Sequence, residues 1–233
     1  MKLLAFDTCF SACSAAIRVA GPDAAVRQSN RFEPMTKGHA EALFPMIDSI
    51  MQEIGAGYAD LDAIAVTIGP GSFTGTRVGI SAARGLALAT GLPVQGATSL
   101  AAIAGRTARR TGWSGNSERI MVCHDARRDQ VYVQVFDGLD VRPETTPAVM
   151  SMPAAAPLAV SLRPQRIAGT AAQSICDSAS LDIEQLTCPG DDGLPDAEAL
   201  LDLWREHLDP PQTLYLRAPD AKPQHGKAIG RAS

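Results

Sequence analysis

Short apolar runs and one amphipathic segment define the first part of the chain. Residues 3–6 and 15–19 are rich in apolar side chains and are separated by small turn residues, which predicts two strands. A third strand is predicted at residues 25–32, after the Gly-Pro-Asp turn at 21–23. Within residues 39–54, the apolar positions recur at intervals of three and four. This spacing predicts a helix with one buried face, so the chain begins with strands and then crosses over through a helix.

The next stretch combines a strand, a turn and a second helix. Residues 63–68 are apolar and β-branched, which predicts a buried strand. Gly-Pro-Gly-Ser at residues 69–72 predicts a sharp turn, and residues 74–90 predict a helix that ends before Gly91 and Pro93. A turn between a strand and a helix lies at the carboxyl end of that strand, where α/β folds bind ligands.

This turn is a candidate for nucleotide binding that lacks parts of the known phosphate-binding motifs. Its glycines and the helix amino terminus could hold a phosphate, but the segment lacks the lysine of a phosphate-binding loop and has Thr74 where GxGxxG has its last glycine. Asp7 follows the first strand and could hold a metal or orient a phosphate, although capping a turn is the favoured interpretation. The candidate nucleotide-binding residues are Asp7, Gly69, Gly71 and Ser72.

The helix at 74–90 has two distinctive faces. Gly75 and Gly79 lie four residues apart and remove side-chain bulk from one face. Either this face packs tightly inside the domain, or it contacts a helix of another subunit. Arg77, Ser81 and Arg84 form a second, polar stripe.

The second half of the chain repeats the order of the first half. Residues 120–123 predict a strand that ends near Asp125, and residues 131–136 predict the returning strand. This repetition indicates two similar lobes at 1–110 and 111–217, a helix near 196–208 that can pack back on the first lobe, and a frayed tail at 218–233. The remaining predicted elements are strands at 93–97 and 164–169, helices at 100–109 and 171–178, and an irregular segment with a short strand at 141–165.

Composition and charge exclude several classes of function. The 233 residues carry a net charge of −4, so a basic nucleic-acid footprint is missing and any RNA contact is expected to be indirect or local. The five cysteines form no CxxC pair, which is typical of reduced thiols in the cytoplasm. No apolar run is long enough to cross a membrane. His39 and Glu41 do not share a helix face, so we expect a structural role for His39 and no metal site.

Five segments together resemble one protein family. Their order along the chain and the specificity of the glycine turn make them similar to TsaB, also called YeaZ, the family of bacterial tRNA N6-threonylcarbamoyladenosine biosynthesis proteins. Three positions depart from the family pattern: Cys9 and Ala40 replace Ser, and Thr76 replaces Leu. The segments are LLAFDTCFSACSAA (3–16), GHAEALFPMI (38–47), GPGSFTGTRVG (69–79), DARRDQVY (125–132) and LYLR (214–217).

The resemblance implies a fold and a role. The fold is α/β and two-lobed, of the actin-like or ribonuclease-H-like type, with mixed sheets flanked by helices. The role is that of a non-catalytic, cytoplasmic scaffold without a cofactor of its own. Its implied partners are a TsaD-like subunit, which transfers threonylcarbamoyl to the adenosine beside the tRNA anticodon, and a TsaE-like ATPase. Transfer RNA would be reached through the complex.

The resemblance also implies which helices form the partner interface. Family pairing uses two helices that match residues 39–54 and 74–90, so that two helices from each subunit form a four-helix bundle. A chain without its partner would pair with itself through the same helices. The implied partner-binding residues are His39, Leu43, Ile47, Ile50, Gly75, Arg77, Gly79 and Arg84.

An alternative function uses the acidic residues. Asp7, Asp125 and the turn at 69–75 could belong to an independent actin-like ATPase or kinase. In the scaffold interpretation, a nucleotide would be held only at an interface shared with the partner. Neither interpretation includes a protease, because the sequence offers no catalytic nucleophile with a supporting base.

Overall fold

The structure is a computed structural model that describes residues 1–21, 26–111, 118–137, 140–181, 193–204 and 211–216. The predicted tail at 218–233, the last part of the helix predicted to 208, and Cys188 lie outside these residues. Among the described residues, no helix is both long enough and apolar enough to span a bilayer.

The first sheet has five strands in the order β3–β2–β1–β4–β5. The first three strands are antiparallel neighbours, whereas β4 and β5 run parallel to β1. The parallel strands require crossover connections, which the helices supply. The strands are β1 (Lys2–Asp7), β2 (Ala12–Ala20), β3 (Val26–Pro34), β4 (Ala63–Thr67) and β5 (Val94–Ala97).

Helices cover both faces of this sheet. Leu4 and Phe6 of β1 belong to the core cluster under the first two helices, and Leu3 and Ala5 belong to a cluster on the opposite face. This division follows from the two-residue period of a strand, whose successive side chains point to opposite faces. One face carries α1 (His39–Ile54) and α2 (Phe73–Thr90), and the other carries α3 (Ser99–Thr111) and α6 (Ala197–Leu203). A short 3-10 turn, Tyr58–Asp60, follows α1.

The second sheet repeats the core of the first. Strands β6 and β7 form an antiparallel hairpin, and β10 pairs parallel to β6, as β4 pairs with β1. The elements are β6 (Arg119–Asp125), β7 (Gln130–Asp137), β8 (Arg142–Pro143), β9 (Ala148–Ser151), α4 (Met152–Leu162), β10 (Arg166–Ala168) and α5 (Ala172–Ala179). The predicted class, an α/β fold of two mixed sheets flanked by helices, is confirmed. The exact lobe boundary near residue 110 stays a prediction.

For residues 141–165 the prediction of a short strand is confirmed, but the prediction that the rest of the segment is irregular is wrong. This segment contains the strands β8 and β9 and the eleven-residue helix α4. Pro153 lies in the first turn of α4, where the missing N–H of proline has no helical partner to lose. The helix carries no charged residue, so its sequence lacks the polar stripe that usually marks a surface helix.

Candidate functional site

Asp7 lies at the end of β1, in a dry site. Its Oδ1 accepts hydrogen bonds from the Thr67 hydroxyl and, at 3.2 Å, from the backbone N–H of Cys9. Its Oδ2 is also buried and has no hydrogen-bond partner among the described residues. Burial raises the pKa of Asp7 to about 7, because a carboxylate loses its hydration there. The bond to Cys9 is the local turn capping that the sequence favoured for Asp7.

The glycine turn packs against Cys9, two residues after Asp7. The N–H of Ser72 donates to the carbonyl oxygen of Cys9 at 2.7 Å. A side chain at Gly71 would overlap the same carbonyl, so the two backbones are in direct contact. The predicted nucleotide-binding residues Asp7, Gly71 and Ser72 therefore all contact the backbone of Cys9, Asp7 through the Cys9 N–H and the other two at its carbonyl oxygen.

The other candidates around the turn have structural partners. The hydroxyl of Ser72 accepts from the N–H of Gly75 at 2.9 Å, which caps the amino terminus of α2. The carbonyl oxygen of Gly69 accepts from the N–H of Ser99 at 2.9 Å and so joins the turn to α3. Gly69 has a φ of 101°, which favours glycine.

Asp125 is exposed at the end of β6. Its Oδ1 accepts from the N–H of Arg127 at 2.7 Å and so caps its own turn. Next to it, His124 is buried and stacks on Phe10, with ring centroids 3.7 Å apart. This stacking joins the β1–β2 turn to the second sheet. Burial lowers the pKa of His124 to about 4, so the ring is neutral at physiological pH.

The predicted partner contacts of Gly75 and Gly79 are wrong. Both glycines are buried, and both face Thr8 within the same lobe. A side chain at Gly75 would overlap the Thr8 carbonyl, and one at Gly79 would lie 2.8 Å from the Thr8 hydroxyl oxygen. Of the two interpretations open from the sequence, the structure has tight packing inside the domain.

The apolar positions of α1 are also internal. Leu43, Ile47 and Ile50 are fully buried in the core cluster that includes Phe6 of β1, so the structure does not present these three predicted partner-binding residues on the surface of α1. His39 is half-buried, and its Nε2 lies 2.9 Å from the carbonyl oxygen of Phe10. Because a carbonyl only accepts, Nε2 carries the proton.

The exposed surface of α1 and α2 consists of other residues. Leu88 is 91% exposed, and Phe44 of α1 is 41% exposed. Gly85 and Ser81 are exposed on α2, about one and two turns before Leu88, respectively. We call Phe44, Ser81, Gly85 and Leu88 the α1–α2 ridge. Sequence reasoning missed Leu88, although it follows Ser81 of the polar stripe by seven residues and thus shares its face.

The two predicted arginines are exposed but contact their own chain. Arg77 donates through Nε to the hydroxyl of Tyr215 at 2.8 Å, and Arg84 donates through Nη2 to the carbonyl of Pro211 at 2.9 Å. Residues 211–216 thus lie along α2, and we call them the strap. Sequence reasoning could not place the strap, because its contacts with α2 span more than a hundred residues.

Comparison with known proteins gives a consistent result. A family model described as TsaD: tRNA N6-adenosine threonylcarbamoyltransferase matches residues 33–168. The chain is 37% identical over 132 residues to the tRNA threonylcarbamoyladenosine biosynthesis protein TsaB of Escherichia coli K12, an alignment that covers 57% of this chain and 53% of that protein. The crystal structure of YeaZ from Pseudomonas aeruginosa is 30% identical, with a TM-score of 0.68 over 87% of this chain and 89% of that one.

The chain belongs to the TsaB/YeaZ family. The resemblance seen in the sequence is therefore confirmed. A ROK hexokinase from Thermus thermophilus, at 14% identity and a TM-score of 0.51 over 87% of this chain and 98% of that one, shows the same fold. The match to E. coli TsaB spans about half of that protein's length.

Proposed function

We propose that this chain is a non-catalytic subunit in tRNA threonylcarbamoyladenosine biosynthesis. It pairs with a TsaD-like transferase subunit, works with a TsaE-like ATPase, reaches tRNA through that complex, and resides in the cytoplasm. Membership of the TsaB/YeaZ family supports the pathway. The lobes at 1–110 and 111–217 are part of the same proposal, with the partner-binding helices on the first lobe.

The packing of the glycine turn carries the non-catalytic part of the proposal. The Asp7 carboxyl is fully buried, and the glycine turn is bonded to the backbone of Cys9 beside it, so a substrate phosphate cannot reach the carboxyl in this arrangement. Asp125 is engaged in capping its own turn. The residues of the alternative ATPase thus support local structure. A nucleotide, where one is used, is held at an interface shared with the partner.

The α1–α2 ridge is the proposed pairing surface. Leu88 leaves 91% of its surface in water, and burying that surface against a partner would be favourable. Phe44 of α1 is a second exposed large apolar side chain on this pair of helices. The family model that matches this chain carries the TsaD description, so a TsaD-like partner shares its fold and presents corresponding helices. Two helices from each subunit then form a four-helix bundle, and without the partner the chain pairs with itself.

Reconstitution tests the proposed function. Threonylcarbamoyl incorporation into tRNA is measured with TsaD-like and TsaE-like subunits, with and without this chain. We expect incorporation to require this chain and to survive Asp7→Asn. Incorporation at full rate without the chain would refute the proposal.

Calorimetric titration of the purified chain with ATP and magnesium tests the alternative. We expect no micromolar binding and no turnover. Turnover that disappears in Asp7→Asn would instead establish the independent ATPase.

A further inference from the structure

The strap lies on one edge of α2. The N–H of Leu214 donates to the carbonyl of Ile68, directly after β4, at 2.8 Å. Pro211 packs against β5, because a Cβ added at Gly96 would lie only 3.2 Å from the Cα of Pro211. The strap therefore covers the β5 side of α2, where the sheet ends.

The opposite edge of α2 faces α1. Val78, Ala82 and Leu86 pack against the core cluster that contains the buried side chains of α1. Phe73 and Arg84 point to the other side and contact the strap. The exposed surface of α2 thus lies between α1 and the strap, so the strap borders the α1–α2 ridge.

Tyr215 of the strap joins an exposed aromatic cluster on α2. Its ring centroid lies 5.6 Å from that of Phe73, and the Arg77 guanidinium carbon lies 3.4 Å from the Phe73 ring centroid. Phe73 is 50% exposed and Tyr215 is 48% exposed. Aromatic rings that are held rigid by an arginine, and still half in water, have the composition of interface hot spots.

The charge of α2 indicates the chemistry of the occupant. Helix α2 carries Arg77 and Arg84 and no acidic residue. Arg77 stacks on Phe73, and a guanidinium group that stacks on a ring keeps further N–H donors for a carboxylate. The cluster therefore fits a protein surface that combines apolar side chains with Asp or Glu.

We propose that the cluster of Phe73, Arg77 and Tyr215 forms one end of the surface on which the TsaD-like subunit docks. The strap thereby contributes directly to pairing, beside the two helices. This inference rests on the proposed function and extends it: the docking surface begins at the α1–α2 ridge and continues along α2 to the strap.

Affinity for the TsaD-like subunit, measured by calorimetry with the full chain, tests this inference. We expect Tyr215→Ala to weaken binding at least about tenfold, because a hot-spot aromatic is removed. Tyr215→Phe keeps the ring and loses only the hydroxyl contact with Arg77, so its binding should weaken less than about threefold. Val160→Ala is the matched control, because Val160 is about as exposed as Tyr215 but lies on α4, which packs against the second sheet. This variant should bind as the wild type does.

Two further measurements separate the possible failures. Leu88→Asp reports on the α1–α2 ridge alone. If Leu88→Asp abolishes binding while Tyr215→Ala binds as the wild type does, the strap inference is wrong and the proposed pairing stands. If the wild-type chain does not bind the TsaD-like subunit, both are wrong. Hydrogen exchange at the Leu214 amide of Tyr215→Ala shows whether the strap still lies on α2 in this variant. If exchange at this amide is as slow as in the wild type and the variant nevertheless binds the TsaD-like subunit more weakly, the inference is supported.

Discussion

The backbone carbonyl of Thr8 occupies the space that a side chain at Gly75 would need. The hydroxyl of Thr8 also donates to the carbonyl of Gly75 at 2.7 Å, so the end of β1 and the first turn of α2 are in direct contact. Only glycine permits such a close approach. This contact fixes the position of the first turn of α2 against the end of β1.

Gly75→Val should therefore disrupt folding rather than pairing alone. The added side chain meets backbone atoms that cannot move aside, and overpacking of this kind costs about 1–3 kcal/mol or more. The midpoint of urea unfolding should fall accordingly.

Gly85→Ala is the matched control for stability. Gly85 is an exposed position of α2 with nothing within 4 Å of an added Cβ. Alanine there should stabilise the helix by roughly 0.5–1 kcal/mol. A Gly75→Val protein with the wild-type unfolding midpoint would contradict the internal role of this glycine.

Asp7 should make stability depend on pH. Burial raises its pKa from 3.8 to about 7, so the folded state holds the proton more tightly than the unfolded state does. The resulting stabilisation is complete below the unfolded pKa and is lost as the pH rises towards 7. Relative to Asp7→Asn, the wild-type free energy of unfolding should fall by on the order of 4 kcal/mol between pH 4 and pH 8.

Urea titrations of both proteins at several pH values measure this difference. Asparagine keeps an oxygen that accepts from Thr67 and Cys9, so the variant should fold. If the free energies of unfolding of the wild type and Asp7→Asn differ by the same amount at pH 4 and at pH 8, the Asp7 carboxyl is not shielded from water in the folded protein.

His124 should act in the opposite direction. Burial lowers its pKa from 6.5 to about 4, so between these values the unfolded state takes up a proton that the folded state does not. The contribution of neutral His124 to the free energy of unfolding is complete above pH 6.5. As the pH falls from 6.5 to 4, this contribution decreases by on the order of 3 kcal/mol. The pH dependence of the free energy of unfolding is therefore measured in Asp7→Asn protein, because this substitution removes the opposing titration of Asp7.

His124→Phe in that background should remove most of this acid sensitivity. The new ring can still stack on Phe10, although it loses the 3.2 Å contact between Nδ1 and the Gly193 carbonyl, at about 1 kcal/mol. If Asp7→Asn and the double variant Asp7→Asn, His124→Phe lose the same free energy of unfolding on acidification, a group other than His124 causes the acid sensitivity.

The sequence predicted the sheet strands and the main helices well, because these elements carry strong periodic patterns. Strand β1 alternates between two covered faces, and Ser72, Gly91 and Pro93 mark the ends of α2. Helix α4 escaped prediction because it lacks a polar face. The repeated hairpin and parallel strand of the second sheet could be inferred from the repeated order of strand, Asp and strand.

The orientation of the helix faces was harder to predict. In α2, small residues lie on several sides, so spacing alone does not say whether Gly75 faces the core or a partner. The close approach of Thr8, 67 residues earlier in the chain, decides this. The position of the strap was unpredictable for the same reason. The sequence does not show that Arg77 donates a hydrogen bond to Tyr215, which lies 138 residues later in the chain.

Pairing of the Leu88→Asp variant tests the central claim that the chain acts by offering a surface. The side chain is 91% exposed but lies in the last turn of α2, where Asp has a lower helix propensity and opposes the helix dipole, so the substitution should lower the free energy of unfolding by only about 1 kcal/mol. In a four-helix interface, however, the new carboxylate would be buried without a partner, which costs several kcal/mol.

The dissociation constant for the TsaD-like subunit is measured by calorimetry for the wild type and for Leu88→Asp. The account predicts that the wild-type chain binds and that the variant binds at least about 100-fold more weakly while remaining folded. A folded Leu88→Asp chain that binds with wild-type affinity would contradict it.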